Sequence, residues 1–209
     1  MRRPDLLAGE DLLPAPRQKR SFEKRARLKQ AALALFGEKG YEATSVEAIA
    51  DRAGVPVGGF YLHFRSKRQL LLTLMDELLQ KLEALDLSPR RGSSVREGLH
   101  AMLRGAFAVD LEYLGAYRAW QEAALSDPGM GRQRNAIQNW TTARVAGLLR
   151  HLEQLPGARR EVDIPTLARV LDSYFWSLLA RAVTMRRAEL NRWLDTSTDL
   201  VYHAIFLDS

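Results

Sequence analysis

The stretch AGVPVGGFYLHFRSK, residues 53–67, places two adjacent glycines just before a cluster of aromatic and basic side chains. Glycine weakens a helix because it loses more backbone freedom on folding than any other residue. Pro56 favours a helix start, since the first helical N–H has no partner within the helix. The stretch therefore predicts a short helix from Pro56 to about His63. Its adjacent glycines indicate that another group comes very close to the backbone there.

A second short helix is predicted immediately upstream. In ATSVEAIADRAG, residues 43–54, Thr44 and Glu47 have the spacing of a capping box, although Ser45 is an alternative cap. A glycine ends this helix, and a tight turn leads into the next one. Two short helices joined in this way, over about residues 44–63, form a helix-turn-helix pattern. The second helix of such a pair can enter a DNA major groove, which is about 12 Å wide.

The two glycines have a role in such a pair. Without side chains at Gly58 and Gly59, the helix can press against sugar and phosphate. Close approach brings Tyr61, His63 and Lys67 within reach of backbone oxygens, and contacts of this kind set the register of a protein on DNA. Taken alone, Tyr61 and His63 fit as well a core aromatic and a core histidine, so the DNA interpretation depends on their spacing.

The chain of 209 residues has a net charge of +6, and all of the excess lies in its first third. Residues 1–70 hold 14 basic and 8 acidic side chains, whereas residues 71–209 hold 17 of each. Within the first third, residues 17–29 carry seven bases and one acid. A charge run is usually a solvated helix face, but an excess confined to one segment favours a polyanionic partner.

Several classes of site lack support in the sequence. The chain has no cysteine, and its four histidines, at 63, 100, 151 and 203, lie far apart, so no metal site is expected. No nucleophile elbow or phosphate-binding glycine loop is present, so we predict no catalytic residue and no cofactor. No apolar run has the length of a signal peptide or a membrane span, which predicts a cytoplasmic protein without a membrane partner.

The spacing of apolar residues is helical along the chain, and no alternating strand pattern occurs, so we predict an all-α fold. Prolines make residues 1–20 a flexible basic arm. A three-helix domain that contains the helix-turn-helix is predicted over residues 21–81, and a helical bundle over residues 82–209. The break between them falls at DLSPRRGSS, residues 86–94.

The segment GYEATSVEAIADRAGVPVGGFYLHFRSKRQLL, residues 40–72, resembles the DNA-binding domain of TetR-family transcriptional regulators. With the helices on either side, the likeness covers roughly residues 21–81. The positions that fit the family pattern are Gly40, Tyr41, Thr44, Ile49, Ala50, Ala53, Gly54, Val55, Tyr61, His63, Phe64, Lys67 and Leu70. The resemblance implies a transcriptional regulator rather than an enzyme. It also implies a homodimer with two DNA-binding heads and a C-terminal bundle for ligand binding and dimerisation. Its implied partners are a double-stranded DNA operator and a small-molecule effector.

The resemblance also implies which residues contact DNA. The family's contacts fall here on Thr44, Ser45, Val57, Gly58, Gly59, Tyr61, His63 and Lys67. The predicted recognition helix begins PVGG, residues 56–59, with no Arg, Asn or Gln to pair with base edges. Base reading then falls to Val57 against a thymine methyl, to Glu47 accepting from cytosine, or to DNA shape.

Apolar residues of the bundle provide candidates for a ligand cavity and for a dimer interface. Such residues are usually plain core, but the resemblance implies a mostly apolar ligand cavity, with arginines available for an anionic group such as an acyl thioester. The candidates for the cavity are Met102, Phe107, Tyr113, Tyr117, Trp120 and Trp140. The last two long helices are apolar on more than one face, which favours a four-helix dimer interface. Its predicted members are Tyr174, Leu178, Leu194, Val201 and Ile205.

Two hypotheses of different classes follow. In the first, a homodimeric repressor binds a palindromic operator and is released by a small, largely apolar ligand. In the second, a helical enzyme or lipid-binding module has a basic front end that only binds anionic surfaces. The first hypothesis predicts a preference for an inverted repeat over a scrambled duplex, and the second predicts no preference.

Overall fold

A computed structural model describes residues 2–14, 16–85, 94–182 and 184–206. Within these residues the chain forms nine α-helices and no β-strand beyond one isolated bridge between Ala158 and Phe206. The all-α fold predicted from apolar spacing is therefore confirmed. The helices are α1 (Lys19–Lys39), α2 (Val46–Arg52), α3 (Val57–Tyr61), α4 (Lys67–Glu83), α5 (Val95–Glu112), α6 (Leu114–Ser126), α7 (Pro128–Glu153), α8 (Ile164–Ala182) and α9 (Arg187–Ile205).

The chain divides into two compact units. The first, here called the N-terminal unit, contains Pro4–Lys81 and Tyr113–Arg134. The second, the C-terminal unit, contains Met1–Arg3, Leu82–Glu112 and Asn135–Ser209. Helix α6 therefore groups with the helix-turn-helix, whereas the sequence assigned it to the bundle. Of the predicted break, residues 86–93 lie outside the described part of the chain.

Helices α1 and α6 of the N-terminal unit touch through their backbones. A Cβ atom on Gly115 would lie 1.9 Å from the carbonyl oxygen of Leu33, and a Cβ atom on Gly37 would lie 3.6 Å from the Cα atom of Gly115. Close to this crossing, Arg118 Nη1 donates to the carbonyl oxygen of Gly37 at 2.6 Å. The last turn of α1 is therefore held by α6, and glycine is required at residue 115 by space rather than by backbone conformation.

Residues 4–14, here called the N-terminal strap, pack onto the N-terminal unit. Leu6 is completely buried, and its carbonyl oxygen accepts a hydrogen bond from Gln133 Nε2 at 3.1 Å. Gln69 Nε2 donates to the carbonyl oxygen of Asp11 at 2.9 Å. The prediction of a flexible arm is therefore wrong for these residues. Prolines predict a loose segment, but the apolar pair at residues 6–7 was the signal for packing.

The C-terminal unit buries the residues that the sequence assigned to a dimer interface. The side chains of Leu178, Leu194, Val201 and Ile205 are almost fully covered within the chain itself. Tyr174 is half-buried; its hydroxyl lies 2.8 Å from Ser197 Oγ and its ring stacks on Trp193. The four aliphatic residues are therefore core, because α8 and α9 are covered by helices of the same chain, and the prediction that they meet a partner is wrong.

Replacing Gly115 by alanine tests the backbone contact between α1 and α6. The added Cβ atom would meet the backbone oxygen of Leu33, which has no rotamer to change. We expect Gly115→Ala to lower the free energy of unfolding by about 1–3 kcal/mol, as overpacking does, in a urea titration. The matched control is Gly131→Ala, whose Cβ atom would lie 3.5 Å from the carbonyl oxygen of Ala124, an ordinary contact. Equal stabilities of the two variants would contradict this account of the crossing.

Candidate nucleic-acid interface

The N-terminus of α2 is fixed by two neighbouring hydroxyl groups that act differently. Ser45 Oγ accepts from the N–H of Ala48 at 3.1 Å and is the cap of α2. Thr44 is fully buried, and its hydroxyl donates to the carbonyl oxygen of Gly40 at 2.6 Å. Of the two caps that the sequence allowed, the structure therefore selects Ser45. Thr44 holds the turn before α2 instead of presenting its hydroxyl to DNA, so its predicted contact is corrected.

The two adjacent glycines of α3 have different reasons to be glycine. A Cβ atom on Gly59 would lie 2.6 Å from Val55 Cγ1, and Val55 is itself buried in the turn between α2 and α3. A Cβ atom on Gly58 would meet nothing within 4 Å. Gly59 is therefore needed for internal packing, whereas the bare backbone at Gly58 faces outward and leaves room for an external partner.

Five of the nine predicted DNA contacts lie on the exposed surface of the helix-turn-helix. Val57 is 39% exposed and Tyr61 is 48% exposed, although the Tyr61 ring also packs edge-on against Phe60. The exposed members of the predicted set are Ser45, Glu47, Val57, Gly58 and Tyr61. Gly59 and Lys67 are half-buried. The first turn of α3 and the start of α2 thus present a hydroxyl, a carboxylate, a valine and a phenol.

His63 lies inside the unit rather than on this surface. Its side chain is only 5% exposed, and burial lowers its pKa, which the positive charges of Arg25 and Lys24 lower further. Arg25 Nη1 donates to the carbonyl oxygen of His63 at 2.9 Å, and Arg25 Cζ lies 4.5 Å from the centre of the Phe64 ring. The imidazole is therefore a neutral core group, which corrects the predicted phosphate contact.

Lys67 of α4 and Glu122 of α6 both form hydrogen bonds with the backbone of the turn between α1 and α2. Lys67 Nζ donates to the carbonyl oxygen of Tyr41 at 2.6 Å and lies 4.1 Å from the centre of its ring. Glu122 Oε2 accepts from the N–H of Tyr41 at 2.6 Å, and Glu122 Oε1 accepts from that of Glu42 at 3.2 Å. Desolvation lowers the pKa of Lys67, which Glu42 and Glu122 partly offset. The ammonium group is thus held at the start of α4 with two of its three protons left for other acceptors.

Three further residues next to α3 belong to the candidate surface, although the sequence analysis gave them no role. Leu62, Arg65 and Lys24 are exposed, and the positive charge of Lys24 contributes to the lowered pKa of His63. Arg65 lies in the stretch of residues 53–67, and Lys24 lies in the basic run of residues 17–29. Their charge was the available signal, but charge alone does not indicate which basic residues adjoin the recognition helix.

The predicted ligand residues do not fall in one unit. Tyr113, Tyr117 and Trp120 belong to the N-terminal unit, whereas Met102, Phe107 and Trp140 belong to the C-terminal unit. All except Met102, which is partly buried, are almost fully covered. Their burial is what the plain-core interpretation expects, so a ligand role for them stays a prediction.

Two negative findings limit the chemistry of the described residues. Among residues 2–14, 16–85, 94–182 and 184–206, no three His, Asp or Glu side chains gather in a way that would hold a metal ion. In the same residues, none of the helices combines the length and the apolar character needed to cross a bilayer.

This geometry defines a helix-turn-helix DNA-binding protein, and comparison with known proteins specifies the family. Residues 28–74 match the family model described as bacterial regulatory proteins, tetR family. The HTH-type transcriptional repressor KstR of Rhodococcus jostii is 38% identical over 81 residues, which are 39% of this chain and 37% of KstR. Residues 28–74 are therefore a DNA-binding domain of the TetR type, and the alignment spans less than two fifths of the length of KstR.

Solved structures extend the likeness to most of the chain. A TetR-family transcriptional regulator of Mesorhizobium loti matches with a TM-score of 0.64 and 25% identity, over 91% of this chain and 100% of that one. SmeT, solved as a complex with triclosan, matches with a TM-score of 0.66 and 23% identity, over 89% of this chain and 93% of SmeT. The relatives are transcriptional regulators rather than enzymes, and the fold outside the DNA-binding domain is also that of the family.

Alanine at each glycine of α3 separates internal packing from the external surface. We expect Gly58→Ala to leave stability unchanged or to raise it by up to about 1 kcal/mol, because alanine is the better helix former. The same change should weaken duplex binding, measured by fluorescence anisotropy, since the methyl group occupies the outward face. Gly59→Ala should instead lower stability, because its Cβ atom would overlap Val55. A Gly58→Ala variant that binds duplex as the wild type does would remove Gly58 from the interface.

The burial of His63 predicts how stability depends on pH. Its pKa in the folded chain lies below the ordinary value of about 6.5, so the unfolded chain takes up a proton first as the pH falls. The contribution of a neutral His63 to stability is present above pH 6.5 and is lost as the pH falls below it. Urea titrations at pH 7.5 and 5.5 should therefore show a smaller loss of stability for His63→Gln than for the wild type. His151→Gln, a change at a surface histidine, is the matched control; an equal effect of both changes would contradict the assignment.

Proposed function

We propose that the protein is a homodimeric transcriptional repressor that binds a palindromic DNA operator through α2 and α3 and is released by a small, largely apolar ligand. The observation that carries the proposal is the outward, unobstructed backbone at Gly58, set between exposed Val57 and exposed Tyr61 on the first turns of α3. A bare turn with an apolar side chain on one side and a phenol on the other fits a groove that is read by close approach.

The recognition surface is short of side chains that pair with bases. Val57 offers a methyl contact to thymine, and Glu47, on the exposed face of α2, offers an acceptor to cytosine. The remaining exposed groups, Ser45 and Tyr61, are donors suited to phosphate oxygens. We therefore propose that the operator is recognised largely through its shape and deformability, with Val57 as the main direct reader.

Exposed apolar residues of the C-terminal unit support the proposed dimer. Among the described residues of that unit, the exposed large apolar side chains are Val170 on α8, at 58%, and Leu200 on α9, at 49%. We propose that these two residues, rather than the core residues named from the sequence, lie at the centre of a two-fold contact between α8 and α9 of two protomers. The proposed function requires the two copies of α3 in such a dimer to enter major grooves one helical turn apart, about 34–36 Å.

The ligand is proposed from the family and from the composition of the bundle. SmeT has been solved with triclosan, which shows that a chain of this fold takes up a small organic molecule. In the present chain the effector would be a small, largely apolar molecule, with an acyl thioester as one candidate. It would favour a conformation whose two heads no longer match successive major grooves, so ligand and DNA would weaken each other's binding to the same extent.

A selection of genomic fragments with the purified full chain tests the proposal. Fragments retained at physiological salt should share an inverted repeat, and a scrambled duplex of equal composition should bind far more weakly. Recovery of fragments without a common sequence would favour the alternative, a basic front end that binds any polyanion.

Salt dependence distinguishes the phosphate contacts from the others. Lys67→Gln should weaken binding to every duplex and make the slope of log affinity against log salt shallower by about 0.9, the contribution of one phosphate contact. Tyr61→Phe should weaken binding without changing the slope, because it removes a neutral hydroxyl. Binding is measured by anisotropy between 50 and 300 mM salt.

Arg192→Gln, which removes an exposed charge from α9 in the C-terminal unit, is the control for net charge. An unchanged slope in Lys67→Gln would mean that Lys67 acts only by holding the carbonyl of Tyr41.

A further inference from the structure

The N-terminal strap is an acidic segment placed before a strongly basic one. Residues 4–14 carry Asp5, Glu10 and Asp11 and no base, whereas residues 17–29 carry seven bases and one acid. The strap is fixed by the buried Leu6 and by hydrogen bonds from two glutamine side chains to its carbonyl groups. The backbone of the strap is therefore held at Leu6 and at Asp11.

Two of these carboxylates lie on arginines at the end of the helix-turn-helix. Asp11 Oδ2 is 3.2 Å from Arg65 Nε, and Glu10 Oε1 accepts from Arg68 Nη1. Arg65 is four residues beyond Tyr61 and two before Lys67, and Gln69 Oε1 accepts its backbone N–H at 2.9 Å. An acidic strap thus touches the edge of the surface that carries the proposed phosphate contacts.

The two pairs differ in how easily they exchange. Both Asp11 and Arg65 are exposed, and an exposed ion pair contributes little to stability, so a phosphate can replace Asp11 at Arg65. Arg68 is more covered and is also bound by Asp127 through its Nε at 2.9 Å. Arg65 is therefore the exchangeable partner, and Arg68 with Glu10 anchors the strap beside it.

We propose that Asp11 is a built-in competitor for DNA phosphate: it occupies Arg65 in the free protein and lowers the sequence-independent part of duplex affinity. This inference rests on the proposed function, because it needs the α3 surface to meet DNA. Because Gln69 binds the carbonyl group of Asp11, the carboxylate stays within reach of Arg65 and competes at a high effective concentration. When the sequence-independent affinity is lower, more of the preference for the operator over other DNA comes from the few contacts of α3. This matters because α3 has no strong base-reading side chain.

Asp11→Asn in the full chain tests the proposal, with a random-sequence duplex of 24 base pairs as the probe. Affinity at 100 mM salt should rise by roughly 1.5- to 5-fold, which corresponds to the release of one exposed ion pair. The salt slope should become steeper by up to about 0.9, because Arg65 then displaces a counterion without prior loss of its carboxylate. Asp11 is exposed, so the variant is expected to fold as the wild type does.

Asp5→Asn is the matched control because it removes the same charge from the same strap, at a carboxylate that accepts from the N–H of Leu7. It should change the affinity much less than Asp11→Asn does. Arg65→Gln should cost more affinity in the Asp11→Asn background than in the wild type, since only then is Arg65 free for phosphate. Equal effects of Asp11→Asn and Asp5→Asn, or additive effects of Asp11→Asn and Arg65→Gln, would overturn the competitor role.

The two proposals fail in different ways. If the wild type binds duplex and Asp11→Asn gains nothing over Asp5→Asn, the competitor role alone is wrong. If neither the wild type nor any variant binds duplex, the proposed DNA-binding function is wrong and the competitor role falls with it.

Discussion

The position of α3 depends on one contact, the packing of buried Val55 against the bare backbone of Gly59. Val55 closes the turn after α2, and any side chain at residue 59 would push α3 away from it. Because this contact takes place on the inner side of α3, the outer side at Gly58 remains open. Gly59 thus allows α3 to pack against Val55, and Gly58 leaves the outer face of α3 without a side chain. These two requirements explain why the glycines are adjacent, although they weaken a five-residue helix.

The approach to α2 is fixed by groups that come from distant parts of the chain. Lys67 of α4 binds the carbonyl of Tyr41, Glu122 of α6 binds its N–H, and the Gly37–Gly115 crossing holds α1 on α6. Side chains that lie 26 and 81 residues from Tyr41 in the sequence therefore meet at its backbone. Any movement of α6 relative to α1 would therefore displace the turn before α2, which carries Ser45.

The sequence predicted the fold class, the helix-turn-helix and the exposed positions of Val57 and Gly58 because these depend on local spacing and caps. It did not predict which of two adjacent glycines is internal, since that is decided by Val55 across the turn. Nor did apolar spacing indicate what covers the apolar residues of α8 and α9. Leu178 and Leu194 are covered by their own chain, and of the large apolar side chains described on these two helices only Val170 and Leu200 are exposed. The packing of the N-terminal strap was not predicted, because its prolines favour a loose chain more strongly than its leucines indicate burial.

A cleavage reagent attached beside α3 tests the central claim most directly. The chain has no cysteine, so Leu62→Cys, at an exposed residue directly after α3, provides a unique attachment site for an iron chelate that cuts nearby DNA. On a selected genomic fragment, the account predicts cuts confined to a few base pairs in two symmetric clusters, with the reagent at Leu125→Cys on α6 giving no such pattern. Cuts spread along the fragment, or identical patterns from both sites while binding is retained, would contradict the placement of α3 in the groove.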